Sequence, residues 1–314
     1  MRTRPKHTLA ALLALGLTTL PFNLISPARA ADAAGPVDTA QPLPFHSIEG
    51  YGGGAITPTA YLSNATPDKH GIGKPSFADS YVNLGAKSLT ALTASETLFG
   101  RLELSFGADQ FQFGTLPDAI RKATGVDIDK SSEWLYNYNA RYLTVKESSN
   151  VPAVTIGVQF KKNADIDAIN NSLGKALSTI GYKNSQGADY TLTASKFFAN
   201  VGSHPLITTI GARESESANL GFLGFGNSYK LTAEGSLIYL PASNFVVAYE
   251  VRQKTNQYTN ALSPLIQQEG TWQAIDVSYI VSPHSTLVAG YGNFGNLANT
   301  SADNAWWFQL KENL

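Results

Sequence analysis

The sequence predicts an all-β fold, an antiparallel up-and-down transmembrane β-barrel of about 12 strands with short periplasmic turns and long external loops. Three observations favour this fold class. Apolar and polar residues alternate along many segments, the connections between them alternate between long and short, and the mature chain contains no apolar run of the ~18 residues that a membrane helix needs.

The alternation is clearest between residues 229 and 240. Leu231, Ala233 and Leu237 fall on one face, and Lys230 and Glu234 fall on the other. Because successive side chains of a strand point to opposite faces, this segment has one apolar and one polar surface. The same pattern recurs in residues 101–106, 136–142, 154–161 and 275–281.

Twelve strands are predicted from these patterns and from the turn signals between them. They are 53–63, 80–92, 99–113, 134–148, 151–163, 188–200, 204–213, 228–241, 244–256, 271–282, 285–295 and 305–313. The connections beginning with 64–79 are alternately long and short, which places every long loop at one end of the barrel. Helical spacing within residues 165–181 and 117–125 predicts helices in two long loops, which either cap the barrel mouth or fold inward as a plug.

The amino terminus predicts export. A basic start with Arg2, Arg4 and Lys6, an apolar run to Leu20 and Ala28-Arg29-Ala30 indicate a signal peptide over residues 1–30. We expect residues 31–44 to form a flexible periplasmic leader, and residues 45–314 to form a barrel in the outer membrane of a Gram-negative cell. The expected partners are outer-membrane lipid and, during assembly, the outer-membrane insertion machinery.

Composition excludes several functional classes. The chain has 15% charged residues, a formal net charge of −1 and no cysteine. A nucleic-acid partner is therefore not expected, and neither a cysteine nucleophile nor a cysteine-bound metal is possible.

The polar faces of the strands predict the residues that line the lumen. Those bearing charge are Lys87, Arg101, Glu103, Asp109, Arg141, Lys161, Arg213, Glu234, Glu250, Arg252 and Asp276. Because both signs occur, the lumen is either filled with water or closed by ion pairs. Glu234, Glu250 and Arg252 fall on neighbouring predicted strands, where they could select solutes or form a structural network.

Other motifs have structural interpretations. Gly52-Gly53-Gly54 and Pro58 are expected to mark a bulged first strand that pairs with the last one. Residues 221–226 are glycine-rich, but no helix follows them, so they do not predict a phosphate loop. His284 and Ser285 are adjacent in a turn, which gives no catalytic geometry. No catalytic residue, metal site or cofactor is predicted.

Ordered short motifs carry a resemblance to a known family. They include Ile48-Glu49-Gly50, Arg101-Leu102-Glu103-Leu104-Ser105, Gly157-Val158-Gln159-Phe160-Lys161, Ala188-Asp189-Tyr190 and Tyr249-Glu250-Val251-Arg252-Gln253-Lys254. Over roughly residues 45–312 the chain resembles domain-of-unknown-function family 3034, a family of bacterial outer-membrane proteins. The resemblance implies an outer-membrane barrel and supplies no activity.

The expected function is therefore a channel or an uptake pore for small solutes or apolar molecules, with the solute left open. The alternatives are a closed barrel with structural or surface-binding duties, a barrel-embedded lipid-modifying enzyme and a secreted soluble β-protein. An enzymatic role is not expected, because no residue constellation in the sequence supports one.

Overall fold

The computed structural model describes residues 45–66, 71–258 and 265–314. The predicted signal peptide, 1–30, and the predicted leader, 31–44, lie outside the described residues. Twelve antiparallel strands form a closed barrel, which confirms the predicted fold class. They are β1 (Ser76–Asn83), β2 (Ser88–Leu98), β3 (Leu102–Gln112), β4 (Ser132–Val145), β5 (Ala153–Asn163), β6 (Gln186–Val201), β7 (His204–Ser217), β8 (Phe225–Ala242), β9 (Phe245–Arg252), β10 (Trp272–Ile280), β11 (Ser285–Asn293) and β12 (Ala305–Asn313).

Each strand pairs with the next one in the chain, and the last strand pairs with the first. In the closing pair, Asn313 of β12 lies opposite Ser76 of β1, and Trp306 lies opposite Asn83. Since every backbone edge of the sheet is paired, the barrel satisfies the requirement that hydrocarbon imposes on a spanning structure. We call the end with the short turns at 99–101, 202–203, 243–244 and 281–284 the turn end, and the opposite one the loop end.

The start of the barrel differs from the prediction. Residues 53–63 are not a barrel strand, and the predicted strand 80–92 is a hairpin of β1 and β2 joined by a tight turn at 84–87. The predicted closure through Gly52-Gly53-Gly54 and Pro58 is therefore wrong, as are the loop 64–79 and the turn 93–98 that followed from it. The strand count is nevertheless right, because one false strand is replaced by one undetected strand.

The alternation of faces holds along the other strands. On β5, Ile156, Val158 and Phe160 point outward, while Gln159 and Lys161 are buried inside. Equivalent outward positions on every strand carry exposed leucine, isoleucine, valine, phenylalanine or tyrosine. The barrel thus has an apolar outer surface and a largely polar inner wall.

Residues 45–63, which we call the plug, fill the lumen. Phe45–His46 pairs with Gly52–Gly53, and every residue from 45 to 63 is buried. Phe45 packs on inward residues near the turn end, including Ile238 and Val246, and the Ser63 amide donates to Glu103 at that same end. The plug therefore enters and leaves at the turn end and bends inside the barrel.

Helices cover the loop end. They are α1 (Leu116–Thr124), α2 (Ile166–Ser172) and α3 (Ala176–Thr179). The two predicted helical loops thus cap the mouth, whereas the plug comes from the amino-terminal segment. Within the described ranges, no helix is both long and apolar enough to cross a membrane.

The turn at 84–87 provides a test of the fold at two glycines with positive φ. A methyl group on Gly114 (φ 54°) would collide with the Ala86 carbonyl oxygen, whereas one on Gly125 (φ 74°) would meet open space. We expect Gly125→Ala to lower the free energy of unfolding by about 1–2 kcal/mol, the strain of a left-handed residue. Gly114→Ala adds a steric cost of about 1–3 kcal/mol. Urea unfolding of the refolded protein measures both, and equal losses would show that 84–87 does not pack on Gly114.

Candidate functional site

Six buried charges form a closed ring across the lumen. Glu49 of the plug lies 2.5 Å from Lys161, Lys161 lies 2.7 Å from Asp189, and Asp189 lies 3.3 Å from Arg213. Arg213 lies 3.0 Å from Glu234, Glu234 lies 3.7 Å from Arg252, and Arg252 lies 2.5 Å from Glu49. We call these six residues the charge ring.

The charge ring is electrically neutral, with three acidic and three basic side chains that alternate in sign. The side chain of each member is at most 3% exposed. Isolated charges at this depth would be strongly destabilising, so each needs opposite charges on both sides. The Tyr51 hydroxyl lies beside the ring, where it donates to Glu49 at 2.9 Å and accepts from Arg213 at 3.3 Å.

Two further carboxylates hold the plug. Glu103 pairs with Arg141 at 2.8 Å, and it accepts hydrogen bonds from the backbone amides of Gly52 and Ser63. Arg141 in turn donates to the Thr59 carbonyl at 2.8 Å. This anchor holds both arms of the plug toward the turn end.

Glu250 binds the bend of the plug. Its carboxylate accepts from the amides of Ala55 at 2.6 Å and Thr57 at 2.8 Å, and from the Thr57 hydroxyl at 2.5 Å. A carboxylate that accepts several hydrogen bonds from one turn fixes the conformation of that turn. The plug is thus held at its bend by one acid and at its base by another.

The structure places the predicted lumen residues other than Arg101 in three groups. Glu103, Arg141, Lys161, Arg213, Glu234, Glu250 and Arg252 contact the plug or the ring. Asp109 and Asp276 are buried on the inner wall, and Asp109 accepts from Asn137 at 2.8 Å. Lys87 lies under the loop after β11, where it donates to Asn299 at 2.7 Å.

Arg101 lies elsewhere. It is half-buried in a turn at the turn end and donates to the Leu143 carbonyl at 3.2 Å. Two ring members, Glu49 and Asp189, were not among the predicted lumen residues. The alternation around Tyr190 placed Asp189 on the inner face, so a signal for it existed, whereas Glu49 lies outside any barrel strand.

An apolar cavity of about 110 Å³, the outer chamber, lies under the helices of the loop end. It is lined mainly by aliphatic side chains from α1, α2, α3 and the loops, among them Leu116, Ile120, Ile166, Ile169, Leu177 and Ile266. Leu173, Leu223 and Leu265 also line it and are only half-buried. The outer chamber is therefore separated from the exterior by partly exposed leucines.

A smaller cavity of about 30 Å³, the inner chamber, lies between the outer chamber and the plug. It is lined by plug residues Ile48, Ala55 and Ile56 and by a cluster of rings that includes Trp272, Phe294 and Trp307. Trp272 and Trp307 therefore point into the barrel.

Phe111 and Phe222 separate the two chambers. Their ring centroids are 4.7 Å apart with an interplanar angle of 27°, and both line each chamber together with Asn219 and Leu297. Phe222 belongs to an inward loop at residues 218–224, which is held by Asn163 donating to the Gly221 and Phe222 carbonyls. The two chambers thus lie one behind the other between the loop end and the apolar side of the plug, with the Phe111 and Phe222 rings between them.

The loop end contains one more buried ion pair. Lys254 lies 3.6 Å from Glu269, and its ammonium is 4.1 Å from the Trp272 ring centroid. Burial lowers the pKa of Lys254 to about 8. Among the described residues, no group of three or more histidine, aspartate or glutamate side chains is arranged to hold a metal ion.

The charge ring predicts a specific pattern of stabilities. Lys161→Met leaves Glu49 and Asp189 without a cation between them, so we expect it to lower the free energy of unfolding by about 3–5 kcal/mol. Lys161→Met combined with Asp189→Asn restores neutrality, and we expect it to recover more than half of that loss. Urea unfolding in lipid vesicles measures both.

A surface pair provides the matched control. Arg121 and Asp118 lie 2.6 Å apart on α1 and are 57% and 76% exposed. Arg121→Met is expected to change stability by less than about 1 kcal/mol, because exposed pairs contribute little. If Lys161→Met behaves like Arg121→Met, the ring does not stabilise the barrel.

The fold resembles solved structures of outer-membrane barrels at low identity. A KdgM porin matches with a TM-score of 0.47 and 10% identity, covering 76% of this chain and 99% of that chain. The COG4313 outer membrane channel from Pseudomonas putida F1 matches with 0.40 and 10%, covering 82% and 100%. The Pseudomonas putida toluene transporter TodX matches with 0.37 and 11%, covering 91% and 98%.

A comparison with curated proteins found no match. A family model does match, and it covers residues 44–311, which is nearly all of the chain after the predicted leader. The motifs that carried the sequence resemblance fall within this range. The chain therefore belongs to the family described as protein of unknown function, DUF3034.

Proposed function

We propose that the protein is an outer-membrane barrel that takes up small apolar molecules through its loop end. The observation that carries this proposal is the pair of apolar cavities, with the outer chamber under half-buried leucines and the inner chamber against Ile48, Ala55 and Ile56 of the plug. Cavities of this composition favour hydrocarbon over ions and sugars.

The exterior supports a location in the outer membrane. Large apolar side chains such as Leu192, Leu231 and Ile275 are more than half exposed on the outer face of the strands. A soluble protein rarely exposes apolar surface on this scale. Lipid is thus the proposed partner of the outer face, and the outer-membrane insertion machinery is the proposed partner in assembly.

The lumen argues against a general hydrophilic pore. An open pore needs continuous water, whereas here the plug and the charge ring occupy the centre of the barrel. The polar groups of the wall are directed to the plug, as the contacts of Glu250 and Glu103 with plug amides demonstrate. Ion pairs, rather than a water-filled channel, are therefore the arrangement that the geometry supports.

The size of the outer chamber limits the molecule. An apolar cavity of roughly 150 Å³ in a soluble protein binds benzene. The outer chamber, at about 110 Å³, is somewhat smaller and has flexible leucines on its exposed side. A compound with one ring, or an aliphatic chain of similar volume, fits this space with small side-chain movements.

A non-enzymatic role is part of the proposal. His284 Nδ1 lies 2.8 Å from the Asn313 carbonyl, and Ser285 donates to Glu312, so the adjacent histidine and serine do not pair. His46 contacts Thr93 and Ser95, but it is fully buried between the plug and the wall. Neither histidine is placed to activate a nucleophile for an external lipid.

A closed barrel without transport is the second candidate. The firm anchoring of the plug by Glu49, Glu103 and Glu250 favours it. The two candidates share the plug and differ in whether the outer chamber binds a ligand. Binding therefore separates them.

Filling the outer chamber tests ligand binding. We expect wild type, refolded in detergent, to bind α-methylstyrene, and Leu173→Trp to weaken binding at least about tenfold, because an indole takes up space that the ligand needs. Leu192→Trp places the same side chain on the outer face and is expected to leave affinity unchanged. Isothermal titration calorimetry measures both. Absence of binding by wild type would support the closed structural barrel instead.

Loosening the plug tests the closed lumen. We expect wild type to show no stepwise conductance in planar bilayers. The double replacement Glu250→Ala and Arg252→Ala keeps the net charge of the lumen but removes the contacts with the bend of the plug and with Glu49. We expect it to lower the melting temperature and to produce conductance steps.

The matched control is the double replacement Lys254→Ala and Glu269→Ala. This buried pair lies at the loop end, where Lys254 contacts Glu269 and the Trp272 ring. We expect a lower melting temperature without conductance. Steady conductance of wild type, or altered ion selectivity of the Glu250 and Arg252 variant at unchanged stability, would indicate an open pore.

A further inference from the structure

We propose that Phe222 sets the upper size of the molecule that the outer chamber holds, so that the ligand is an apolar compound with one ring or an aliphatic chain of similar volume. This inference rests on the proposed uptake function and names its substrate class by size. Phe222, stacked on Phe111, forms the floor of the outer chamber, and this floor excludes a second ring. Phe222 is thus a specificity-determining residue.

The floor consists of two aromatic rings from different parts of the chain. Phe111 is the last inward residue of β3, and Phe222 belongs to the inward loop 218–224 between β7 and β8. Their centroids are 4.7 Å apart, a spacing at which stacked rings are in contact. Because both rings are buried and border both chambers, they are the wall between the two cavities.

The backbone that carries Phe222 is held from several sides. Four consecutive carbonyls of the loop, at residues 220–223, each accept a hydrogen bond from a side chain outside it. The donors are Lys161 to Leu220 at 3.4 Å, Asn163 to Gly221 at 3.1 Å and to Phe222 at 3.2 Å, and Tyr258 to Leu223 at 2.9 Å. Moving the loop aside would leave these buried carbonyls without donors, which is unfavourable. The floor is therefore fixed in position.

The same loop contains backbone strain directly before Phe222. Asn219 has φ 46° and Leu220 has φ 64°, so two consecutive residues other than glycine adopt the left-handed conformation. This conformation is unfavourable for a residue with a Cβ atom, and above all for a bulky one such as leucine. Strain of this kind persists only where the surrounding structure enforces it, and it is concentrated at functional sites. The strained loop thus supports a specific role for the ring that it positions.

The volumes on the two sides of the floor determine what it excludes. The outer chamber, at about 110 Å³, has space for one ring, whereas the inner chamber, at about 30 Å³, has space for none. Replacing Phe222 by alanine removes a whole phenyl ring from the wall between them and joins the chambers. Biphenyl then fits with one ring in the outer chamber and the other in place of the Phe222 side chain.

The experiment compares a one-ring probe, α-methylstyrene, with a two-ring probe, biphenyl. We expect Phe222→Ala to bind biphenyl at least about tenfold more tightly than wild type does, because the second ring refills the cavity that the substitution creates. The affinity for α-methylstyrene is expected to change less than about threefold, since the rest of the lining is retained. Isothermal titration calorimetry measures both, and each probe is compared between wild type and variant in the same detergent, so its partition into micelles cancels.

Phe294→Ala is the matched control. Phe294 lines only the inner of the two chambers described, where its ring centroid lies 4.8 Å from that of Trp272. Its truncation removes the same side chain and enlarges the inner chamber but leaves the floor closed, so we expect no gain in biphenyl affinity. Phe222→Leu is measured as well, which preserves the comparison if Phe222→Ala does not refold, and we expect it to bind biphenyl at least about threefold more tightly than wild type does.

The outcomes separate the inference from the proposed function. If wild type binds α-methylstyrene but neither Phe222 variant gains biphenyl affinity, the size inference is wrong and uptake of small apolar molecules still stands. The same conclusion follows if Phe294→Ala gains as much biphenyl affinity as Phe222→Ala. If wild type binds neither probe, both proposals fail. A gain of biphenyl affinity confined to the Phe222 variants supports the inference.

Discussion

Neutrality of the charge ring is the constraint on which the interior depends. The barrel wall alone supplies Lys161, Arg213 and Arg252 against Asp189 and Glu234, which leaves one positive charge without a counter-ion. Glu49 of the plug supplies the missing negative charge. Because an unbalanced charge at this depth is costly, the closed barrel and the inserted plug stabilise each other. The plug therefore contributes to the stability of the folded barrel, as the strands do.

The plug also divides the interior into two chemical environments. On one side, Glu49 and Tyr51 join the charge ring, and on the other, Ile48, Ala55 and Ile56 face the inner chamber. A short segment with two such faces lets polar and apolar regions lie side by side in one lumen. This explains how a barrel with many inward charges can still contain two apolar cavities on its loop side.

Most of the wall could be predicted from the sequence, because alternation and turn spacing report directly on strands with one face buried. The prediction failed where alternation and turn spacing do not distinguish a barrel strand from another buried segment. Residues 53–63 lie inside the barrel with both faces buried, so their spacing did not distinguish them from a strand. The tight turn at 84–87 was missed although the buried positions change there from even residue numbers (Val82, Leu84) to odd ones (Leu89, Ala91). Glu49 was missed because the alternation of inward and outward residues along a strand says nothing about a segment that is not in the barrel wall.

The anchors of the plug differ in what their loss would cost. Removing Glu49 from the charge ring would leave an unpaired charge, which is among the costliest single changes in a protein interior. Moving the bend at residues 54–57 forfeits apolar contacts, the hydrogen bonds to Glu250 and the one from Arg252 to the Ile56 carbonyl. Gly52 and Gly53, which lie between Glu49 and the bend, are themselves held by pairing with Phe45–His46 and by the hydrogen bond from the Gly52 amide to Glu103. Displacing the bend alone therefore leaves the charge ring closed, whereas expelling the whole plug also opens the ring.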